Sequence, residues 1–229
     1  MRSVVMADAI RLRSVVALSG RFPVLAGADL TVADGEVVLL RGANGAGKTS
    51  LLRVCAGLLP VTSGEAVVLG QDLGAGVPAA ERRAIRRSVG LLGHETFLYD
   101  DLSVRENVRF AVRASGLAAR TADAAMEQLG LGGRLADLAA GRLSAGQRRR
   151  AALAALIARR PRVWLLDEPH AGLDADGREL LDGLVTAAVA TGAAVVIASH
   201  ERGPADDLAA RTVEVAGGRT RQRERQLVG

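Results

Sequence analysis

A glycine-rich segment of the chain has the residue types and spacing that phosphate chemistry needs. It fits the pattern G-x-x-x-x-G-K-[ST] and reads Gly42, Ala43, Asn44, Gly45, Ala46, Gly47, Lys48 and Thr49, with Ser50 following. Glycines let the backbone curl so that its N–H groups point at phosphate oxygens, and a helix that begins here adds partial positive charge. Lys48 would then reach the β- and γ-phosphates of a nucleotide, and Thr49 could hold Mg²⁺.

The alternative interpretation of this segment is a glycine-rich turn that contains a lysine by chance. The chain has 27 glycines, so a fit to the glycine positions alone is weak. Arginine stands in for lysine everywhere else, however, and Lys48 is the only lysine among 30 basic residues. Because a compact ammonium suits a tight cradle better than a guanidinium does, the composition favours the nucleotide site.

Two carboxylates end an apolar stretch that is typical of a buried strand. Residues 163–166 are followed by Asp167 and Glu168. In an open parallel sheet, ligands bind beyond the carboxyl ends of the strands. Asp167 is therefore expected to hold Mg²⁺ through water, and Glu168 to orient or deprotonate an attacking water. A polar turn after a strand is the alternative when the pair is considered alone.

A second apolar stretch, residues 195–199, ends at His200. A single histidine at a strand end is usually structural or solvated. Asp167 is expected at the same edge of the sheet, so His200 could contact the γ-phosphate or the attacking water.

A second candidate anion site lies ahead of the acidic pair, where residues 143–147 read Leu-Ser-Ala-Gly-Gln. Ser144 and the backbone of Gly146 stand at a predicted helix start, which is a site for anions. One nucleotide does not easily explain two phosphate cradles in one chain. The arrangement makes sense if two chains pair head to tail and each cradle closes on the other chain's nucleotide.

The elements that must position these residues alternate between strand and helix. From residue 36 on, apolar strands are predicted at 36–41, 66–69, 89–92, 163–166 and 193–198, and helices at 78–87, 146–160 and 175–190. This order predicts an α/β fold with a mostly parallel sheet. Residues 8–41 are predicted to form short strands. An alanine-rich, glycine-broken helical pattern between residues 102 and 140 is the best candidate for an inserted helical lobe.

Length and composition limit the classes of protein that remain. A chain of 229 residues fits one domain with an inserted lobe. Its 49% hydrophobic content excludes a disordered chain, and its single cysteine excludes a disulfide framework. No signal peptide or membrane span is recognised, so we expect a soluble, cytoplasmic protein that acts on a membrane only through a partner.

Clusters of arginine raise the question of nucleic-acid binding. They lie within residues 82–87 and 148–150 and in a basic tail at about residues 217–229. Solvated helix faces and a frayed tail are the favoured interpretation, because no aromatic residues interleave with the arginines to stack on bases. The net charge of +5 is also modest, and no nucleic-acid partner is expected.

The order of these motifs resembles that of the ATP-binding-cassette (ABC) ATPases along nearly the whole chain. Residues 143–147 look like the family's LSGGQ signature, with Ala145 for the first glycine, and residues 167–174 resemble its Walker B and D-loop. His200 matches the family's switch histidine. The resemblance implies a P-loop NTPase of the ABC type in a single domain, 1–229. It would have a mostly parallel sheet core, an N-terminal antiparallel β region and a helical lobe at about 97–145.

The resemblance also implies roles for the residues. Glu168 would be the catalytic base and His200 the γ-phosphate sensor, with Lys48 also catalytic. Hydrolysis would reopen the dimer and drive an integral membrane permease, which would hold the chain at the inner face of the cell membrane. ATP would be sandwiched between the phosphate loop of one chain and a second copy's Ser144, Gly146, Gln147 and Asp174.

Two positions depart from the family's pattern. The Q-loop glutamine should fall near His94 and Glu95, and neither residue is glutamine. Glu95 could still meet Mg²⁺ or water, and its charge would alter the metal site. The aromatic residue that stacks on adenine should fall where Ser19 stands, and Phe22 is the nearby aromatic residue that could replace it.

Residues 91–107, which include Gly93, His94 and Glu95, resemble the Gly-His-Gln segment of the CcmA-type ATPases of the haem exporter in bacterial cytochrome c maturation. The sequence therefore predicts a haem-linked exporter subunit, with the permease docking around residues 94–110. The alternatives are the ATPase of another exporter of unknown cargo and a non-transport ABC ATPase. A chromosome-type cassette protein would need a long coiled coil before the signature, and a translation factor normally carries two cassettes.

Overall fold

The computed structural model describes residues 8–93, 95–200, 203 and 205–223, so His94 and the end of the predicted basic tail lie outside the described residues. The described strands are β1 (Asp8–Ser19), β2 (Phe22–Ala33), β3 (Val37–Arg41), β4 (Ser63–Val68), β5 (Gln71–Asp72), β6 (Val89–Leu92), β7 (Val163–Asp167), β8 (Ala194–Ser199), β9 (Arg211–Ala216) and β10 (Arg219–Arg223). The described α-helices are α1 (Lys48–Cys55), α2 (Ala79–Ala84), α3 (Val104–Ala114), α4 (Arg120–Gln128), α5 (Ala145–Ala158), α6 (Ala175–Ala190) and α7 (Ala205–Leu208). Within these residues, no helix has the length and apolar character that a membrane crossing requires.

The centre of the fold is a six-stranded sheet in the order β10-β9-β3-β8-β7-β6. The strands from β9 to β6 run parallel, and β10 is antiparallel to β9. Every residue of β7 and β8 is buried, as expected for strands that are covered on both faces. Alternate residues serve different cores: Leu39 and Ile197 pack with the helices α3 to α6, whereas Val38 and Val196 pack with the second sheet and α1. The predicted parallel α/β core is confirmed.

The second sheet is antiparallel, with the order β2-β1-β4-β5. The sequence predicts short strands here, but β1 and β2 have 12 residues each and pair with one another. A bulge accounts for the difference: the pairing register shifts between Leu12 and Val15, and Ser14 has φ 48°. Extra residues at a bulge break the alternation of apolar side chains, so one long strand looks like two short ones in the sequence.

Helices α3, α4 and α5 pack together as a helical lobe on one face of the central sheet. At the start of α3, Ser103 and Glu106 bond each other's backbone N–H groups in a capping box. The buried Asn107 side chain accepts a hydrogen bond from the Tyr99 N–H and donates to the carbonyl oxygens of Tyr99, Leu102 and Ser103. This asparagine therefore fixes the loop that leads into the lobe.

The C-terminal arginines do not form a frayed tail where the structure describes them. β9 and β10 form a hairpin, β9 pairs with β3, and Gly217 and Gly218 make the turn with positive φ. Arg219 and Arg221 therefore lie in a strand, and residue 217 falls in a turn rather than at the start of a tail. β10 has no apolar residue, so the hydrophobic pattern gives no sign of it. Its place depends on backbone pairing with β9, which pairs in turn with β3.

Candidate active site

The phosphate loop connects β3 to α1, and two of its glycines press against the backbone of other strands. Gly42 has φ 155° and Gly47 has φ 112°, conformations that residues with a side chain rarely adopt. A Cβ atom on Gly42 would overlap the Val215 carbonyl oxygen, and one on Gly47 would lie 2.9 Å from the Val24 carbonyl oxygen. The loop is thus held between β2 and β9, and glycine is required at both positions.

Lys48 is the first residue of α1, and its side chain is buried. Its Nζ donates hydrogen bonds to the carbonyl oxygens of Gly42, at 2.7 Å, and Ala43, at 3.2 Å. A buried ammonium needs such partners, because desolvation without them is costly. The bonds hold the positive charge inside the curl of the loop, beside the N–H groups that phosphate oxygens would meet.

A cleft of about 330 Å³ opens beside this loop. It is lined by Val24, Asn44, Gly45, Ala46, Gly47, Lys48, Thr49, Ser50, Asp167 and Glu168. The predicted nucleotide contacts from residue 44 to residue 50 therefore share one cleft with the acidic pair, while Gly42 and Ala43 supply the carbonyl oxygens that hold the lysine. Backbone N–H groups, an ammonium and glycines without Cβ atoms form a cradle that fits the phosphates of a nucleotide.

Thr49 and Asp167 form the polar centre of the cleft. Thr49 Oγ1 donates a hydrogen bond to Asp167 Oδ2 at 2.6 Å, and Asp167 is only 7% exposed. Mg²⁺ is usually held by one or two protein oxygens, with substrate phosphates and waters completing its shell. In the part of the chain that the structure describes, no group of three or more His, Cys, Asp or Glu residues could hold a metal alone. The residues present therefore fit a magnesium ion that binds together with the nucleotide.

Glu168 and His200 follow the ends of the neighbouring parallel strands β7 and β8. Glu168 Oε1 accepts a hydrogen bond from the His200 backbone N–H at 2.9 Å and lies 2.7 Å from the ring Nδ1. The Glu168 side chain is 23% exposed, so its carboxylate is held in place and is still reachable from the cleft. The structure thus brings the predicted base and the predicted sensor into direct contact.

The signature segment lies at the start of α5, away from the phosphate cleft. The Ser144 hydroxyl accepts the Gln147 N–H at 3.2 Å, and the Gln147 side-chain oxygen accepts the Ser144 N–H at 3.0 Å. This capping box gives two backbone N–H groups at the helix start a partner within the same turn. Residues 143–147 are all described, and none of them lines the phosphate cleft of the same chain. The structure therefore does not bring Ser144, Gly146 and Gln147 to the loop that they are predicted to complement.

Asp174 also lies outside the phosphate cleft. Its Oδ1 caps α6 by accepting the Gly177 N–H at 2.8 Å, and Arg150 Nη2 on α5 lies 3.3 Å away. These partners lower the pKa of Asp174 below its ordinary value, the backbone hydrogen bond being the larger cause. Within one chain, Asp174 links the D-loop to the signature helix.

Two further predicted contacts are not part of the phosphate cleft. Glu95 is exposed and lines a separate hollow beside Glu168, not the cleft with Thr49 and Asp167. Its role as a magnesium ligand therefore stays a prediction. Phe22 begins β2 opposite Ser19 and is 77% exposed. Its ring is accessible to an adenine base, and the stacking role also stays a prediction.

Arg149 is a residue of the site that the sequence analysis misses. The sequence suggests a solvated helix face for residues 148–150, but the structure buries Arg149 to 6% exposure. Its guanidinium donates hydrogen bonds to the carbonyl oxygens of Gly93 at 2.5 Å, Asp167 at 3.2 Å and Glu168 at 2.9 Å. The Arg149 Nε also lies 3.5 Å from the Pro169 carbonyl oxygen. Burial lowers the pKa of Arg149, and the charge of Asp167 opposes the shift. Buried leucines four and seven residues further along α5 are the signal that could have found it.

Comparison with known proteins agrees with this fold. Residues 25–171 match the family model described as ABC transporter. The chain therefore belongs to the ABC transporter family, and it is an ATP-binding-cassette ATPase. A dimeric ATP-binding cassette in a post-hydrolysis state, bound to ADP and Pi, shares its fold with a TM-score of 0.83 at 24% identity, covering 94% of this chain and 98% of that one.

The curated relatives are more similar in sequence. The cytochrome c biogenesis ATP-binding export protein CcmA of Bordetella bronchiseptica is 42% identical over 189 residues, which are 82% of this chain and 82% of the relative. The protein of the same name from Xanthomonas axonopodis pv. citri is 40% identical over 196 residues, 85% of this chain and 88% of the relative. The resemblance to the CcmA type is thereby confirmed.

Proposed function

We propose that this chain is the ATP-hydrolysing subunit of a membrane exporter that serves haem export and cytochrome c maturation. The observation that carries the proposal is the contact between Glu168 and His200 at a cleft that also holds Lys48, Thr49 and Asp167. The export role is supported by the curated relatives, which are named as cytochrome c biogenesis ATP-binding export proteins.

The residues of the cleft divide the work of hydrolysis. The loop N–H groups and the Lys48 ammonium bind phosphate oxygens, and Thr49 and Asp167 hold Mg²⁺, which neutralises phosphate charge when bound. The Glu168 carboxylate orients a water and takes up one of its protons as the water oxygen attacks the γ-phosphorus and the bond to the bridging oxygen breaks. His200 holds this carboxylate through its N–H and ring nitrogen and exchanges that contact for the γ-phosphate when it acts as a sensor.

The position of the signature segment supports a head-to-tail dimer. Ser144 and its helix start are exposed, yet they do not line the cleft of their own chain. In the proposed dimer, the N–H groups at the start of α5 meet the γ-phosphate bound to a second copy, as a helix N-terminus favours. Asp174 lies on the neighbouring D-loop and would enter the same interface.

A groove of about 270 Å³ between the Glu95 loop and the helical lobe supports permease docking. Phe97, Tyr99 and Phe110 line it and are all more than half exposed. The Tyr99 and Phe110 rings meet edge to face with centroids 5.5 Å apart, and Asn107 fixes the Tyr99 backbone. Exposed aromatic residues around a concavity are typical of a protein-binding site, and we assign it to a cytoplasmic segment of the permease.

Co-purification tests this assignment. The tagged chain is purified with its membranes in mild detergent, and its partners are identified by mass spectrometry after crosslinking. Haem-exporter membrane subunits are the expected partners. An unrelated permease would contradict the haem link and keep the exporter role. Absence of any membrane protein would contradict the transport role.

A matched pair of variants tests the groove itself. Phe110→Asp places a charge in the groove and should abolish co-purification of the membrane subunit while ATP binding persists. Leu58→Asp is the control, because Leu58 is also exposed, at 47%, and lies outside the groove. Equal recovery of the permease with both variants would contradict the docking site.

A further inference from the structure

Arg149 joins the signature helix to the loops that follow two strands of the central sheet. It projects from the second turn of α5, and its four contacts are all carbonyl oxygens of other segments. Gly93 follows β6, whereas Asp167 ends β7 and Glu168 comes next. The planar guanidinium has five donors in a fixed fork, so it can hold several carbonyl groups at once where an ammonium cannot.

The backbone at Glu168 needs this support. Glu168 has φ 47°, in the left-handed region that residues with a side chain rarely adopt. Its N–H donates to the Ala198 carbonyl oxygen at 2.9 Å, and its own carbonyl oxygen accepts both the Ala171 N–H at 3.1 Å and Arg149 Nη2 at 2.9 Å. These bonds set the direction in which the carboxylate leaves the backbone.

Arg149 also contacts the groove loop, which we define as Gly93 and residues 95–99; residues 95–99 line the docking groove. Arg149 Nη1 donates to the Gly93 carbonyl oxygen, and a Cβ on Gly93 would lie 3.5 Å from the Phe97 ring. Phe97 lines the groove, and Glu95 lines both the groove and the hollow beside Glu168. One buried side chain therefore spans the distance between the groove loop and the catalytic glutamate.

We propose that Arg149 is a positioning residue that fixes the Glu168 backbone and ties it to the groove loop at Gly93. A displacement of the groove loop would then shift the Glu168 carboxylate, because one guanidinium bonds both segments. The proposal rests on the proposed role of Glu168 as the base. It adds a residue that touches neither nucleotide nor permease and acts through the groups it holds.

Hydrogen–deuterium exchange on the full-length chain tests the positioning directly. The variants are Arg149→Gln, which removes the charge, and Arg149→Lys, which keeps the charge and loses the fork. Arg159→Gln is the matched control, because Arg159 is also on the α5 segment, donates to the carbonyl oxygens of Arg86 and Val89, and has its pKa lowered by burial. Arg149→Gln and Arg149→Lys should both speed exchange about tenfold or more in peptides covering residues 91–99 and 168–173. Arg159→Gln should leave the peptide covering residues 168–173 unchanged, because Arg159 lines the docking groove and bonds residues 86, 89 and 115 rather than the Glu168 segment.

Steady-state ATP hydrolysis by the same proteins supplies the second readout. Both Arg149 variants should lose about 10- to 100-fold in kcat while KM stays within about threefold, because a small misplacement of a catalytic group affects the chemical step. A rise in KM with kcat retained would overturn the proposal.

Unchanged exchange at residues 168–173 would also overturn it, as would equal loosening in Arg159→Gln. Failure of both Arg149 variants to fold would make the residue structural and contradict a positioning role. Absence of turnover in the parental chain would instead contradict the proposed function, and the exchange comparison would still stand.

Discussion

The two motifs proposed to bind phosphate in this chain differ in how complete they are. In the phosphate cleft, polar groups from different elements already satisfy one another: Lys48 with loop carbonyls, Thr49 with Asp167, and Glu168 with His200. At the signature segment, the side chains of Ser144 and Gln147 bond each other's backbone N–H groups across one helix turn.

In the proposed mechanism, this difference separates nucleotide binding by one chain from ATP hydrolysis by the dimer. The cleft is built inside one chain by strands that are buried on both faces, so a single copy can bind nucleotide. The signature helix start does not line the phosphate cleft of its own chain, and in the proposed dimer it would act on the nucleotide of a second copy. Variants in the phosphate cleft should therefore impair ATP binding or the chemical step, whereas variants at the signature segment should slow hydrolysis and spare ATP binding by a single chain.

The largest effect is expected from Glu168→Gln. Loss of the general base should lower kcat by about 10²- to 10⁴-fold. ATP affinity should stay within a few fold, since the amide still fits beside His200. Single-turnover hydrolysis and equilibrium binding of labelled ATP measure the two quantities. Hydrolysis at the parental rate would contradict the assignment of the base.

Lys48→Ala should damage binding rather than chemistry alone. Loss of a charge-assisted contact to phosphate corresponds to about 10- to 100-fold weaker ATP binding. Lys48→Arg should not restore affinity, because the guanidinium is too broad for the site that Gly42 and Ala43 enclose. Isothermal titration checks both, and unchanged affinity in Lys48→Ala would count against the cleft.

Ser144→Ala sharpens the comparison, because it should spare binding by a single chain. Removing the cap costs about 1 kcal/mol of stability, and loss of the partner contact should slow hydrolysis roughly tenfold. Ser103→Ala is the control, since it removes the same kind of capping box from α3 in the lobe. Thermal melts should shift alike in both variants, and only Ser144→Ala should slow turnover. Equal turnover would argue against the sandwich.

The smallest expected effect is on how thermal stability depends on pH through Asp174 in the D-loop. Because its partners lower the folded-state pKa of Asp174, its cap stabilises the protein above the ordinary carboxyl pKa and loses this effect as pH falls through the lowered value. Asp174→Asn keeps an acceptor oxygen at the cap and does not titrate. The Tm advantage of the parental chain over Asp174→Asn should therefore shrink between pH 6 and pH 3, roughly by a few degrees. A pH-independent difference would exclude this origin.

The residues that both the sequence and the structure place together at the cleft are those whose chemistry is local. The phosphate loop and the acidic pair are read from adjacent residues, and the apolar stretches before them predict strands that end at one edge. That edge brings Glu168 to His200, although 32 residues separate them. Asp174 could not be understood in this way, because its partner Arg150 becomes visible only once α5 and α6 are packed.

The features that the sequence did not reveal leave no sign in the pattern of apolar residues. The bulge at Ser14 interrupts the alternation within one long strand, and β10 is a polar edge strand that pairs with β9. Arg149 is a charged residue, which predicts an exposed position, yet it lies on the buried face of α5. Its spacing from the buried leucines of that helix indicates the correct face. In each case tertiary contacts override the local pattern.

The tight contact of Gly42 with Val215 has a consequence for biosynthesis. The phosphate loop emerges from the ribosome long before β9, yet its path is enclosed by that strand, and the Gly218 N–H bonds the Ala46 carbonyl oxygen at 2.9 Å. Until β9 pairs with β3, the nascent chain exposes β3 as an open sheet edge. The phosphate loop therefore reaches its final path only after β9 has been synthesised, late in translation.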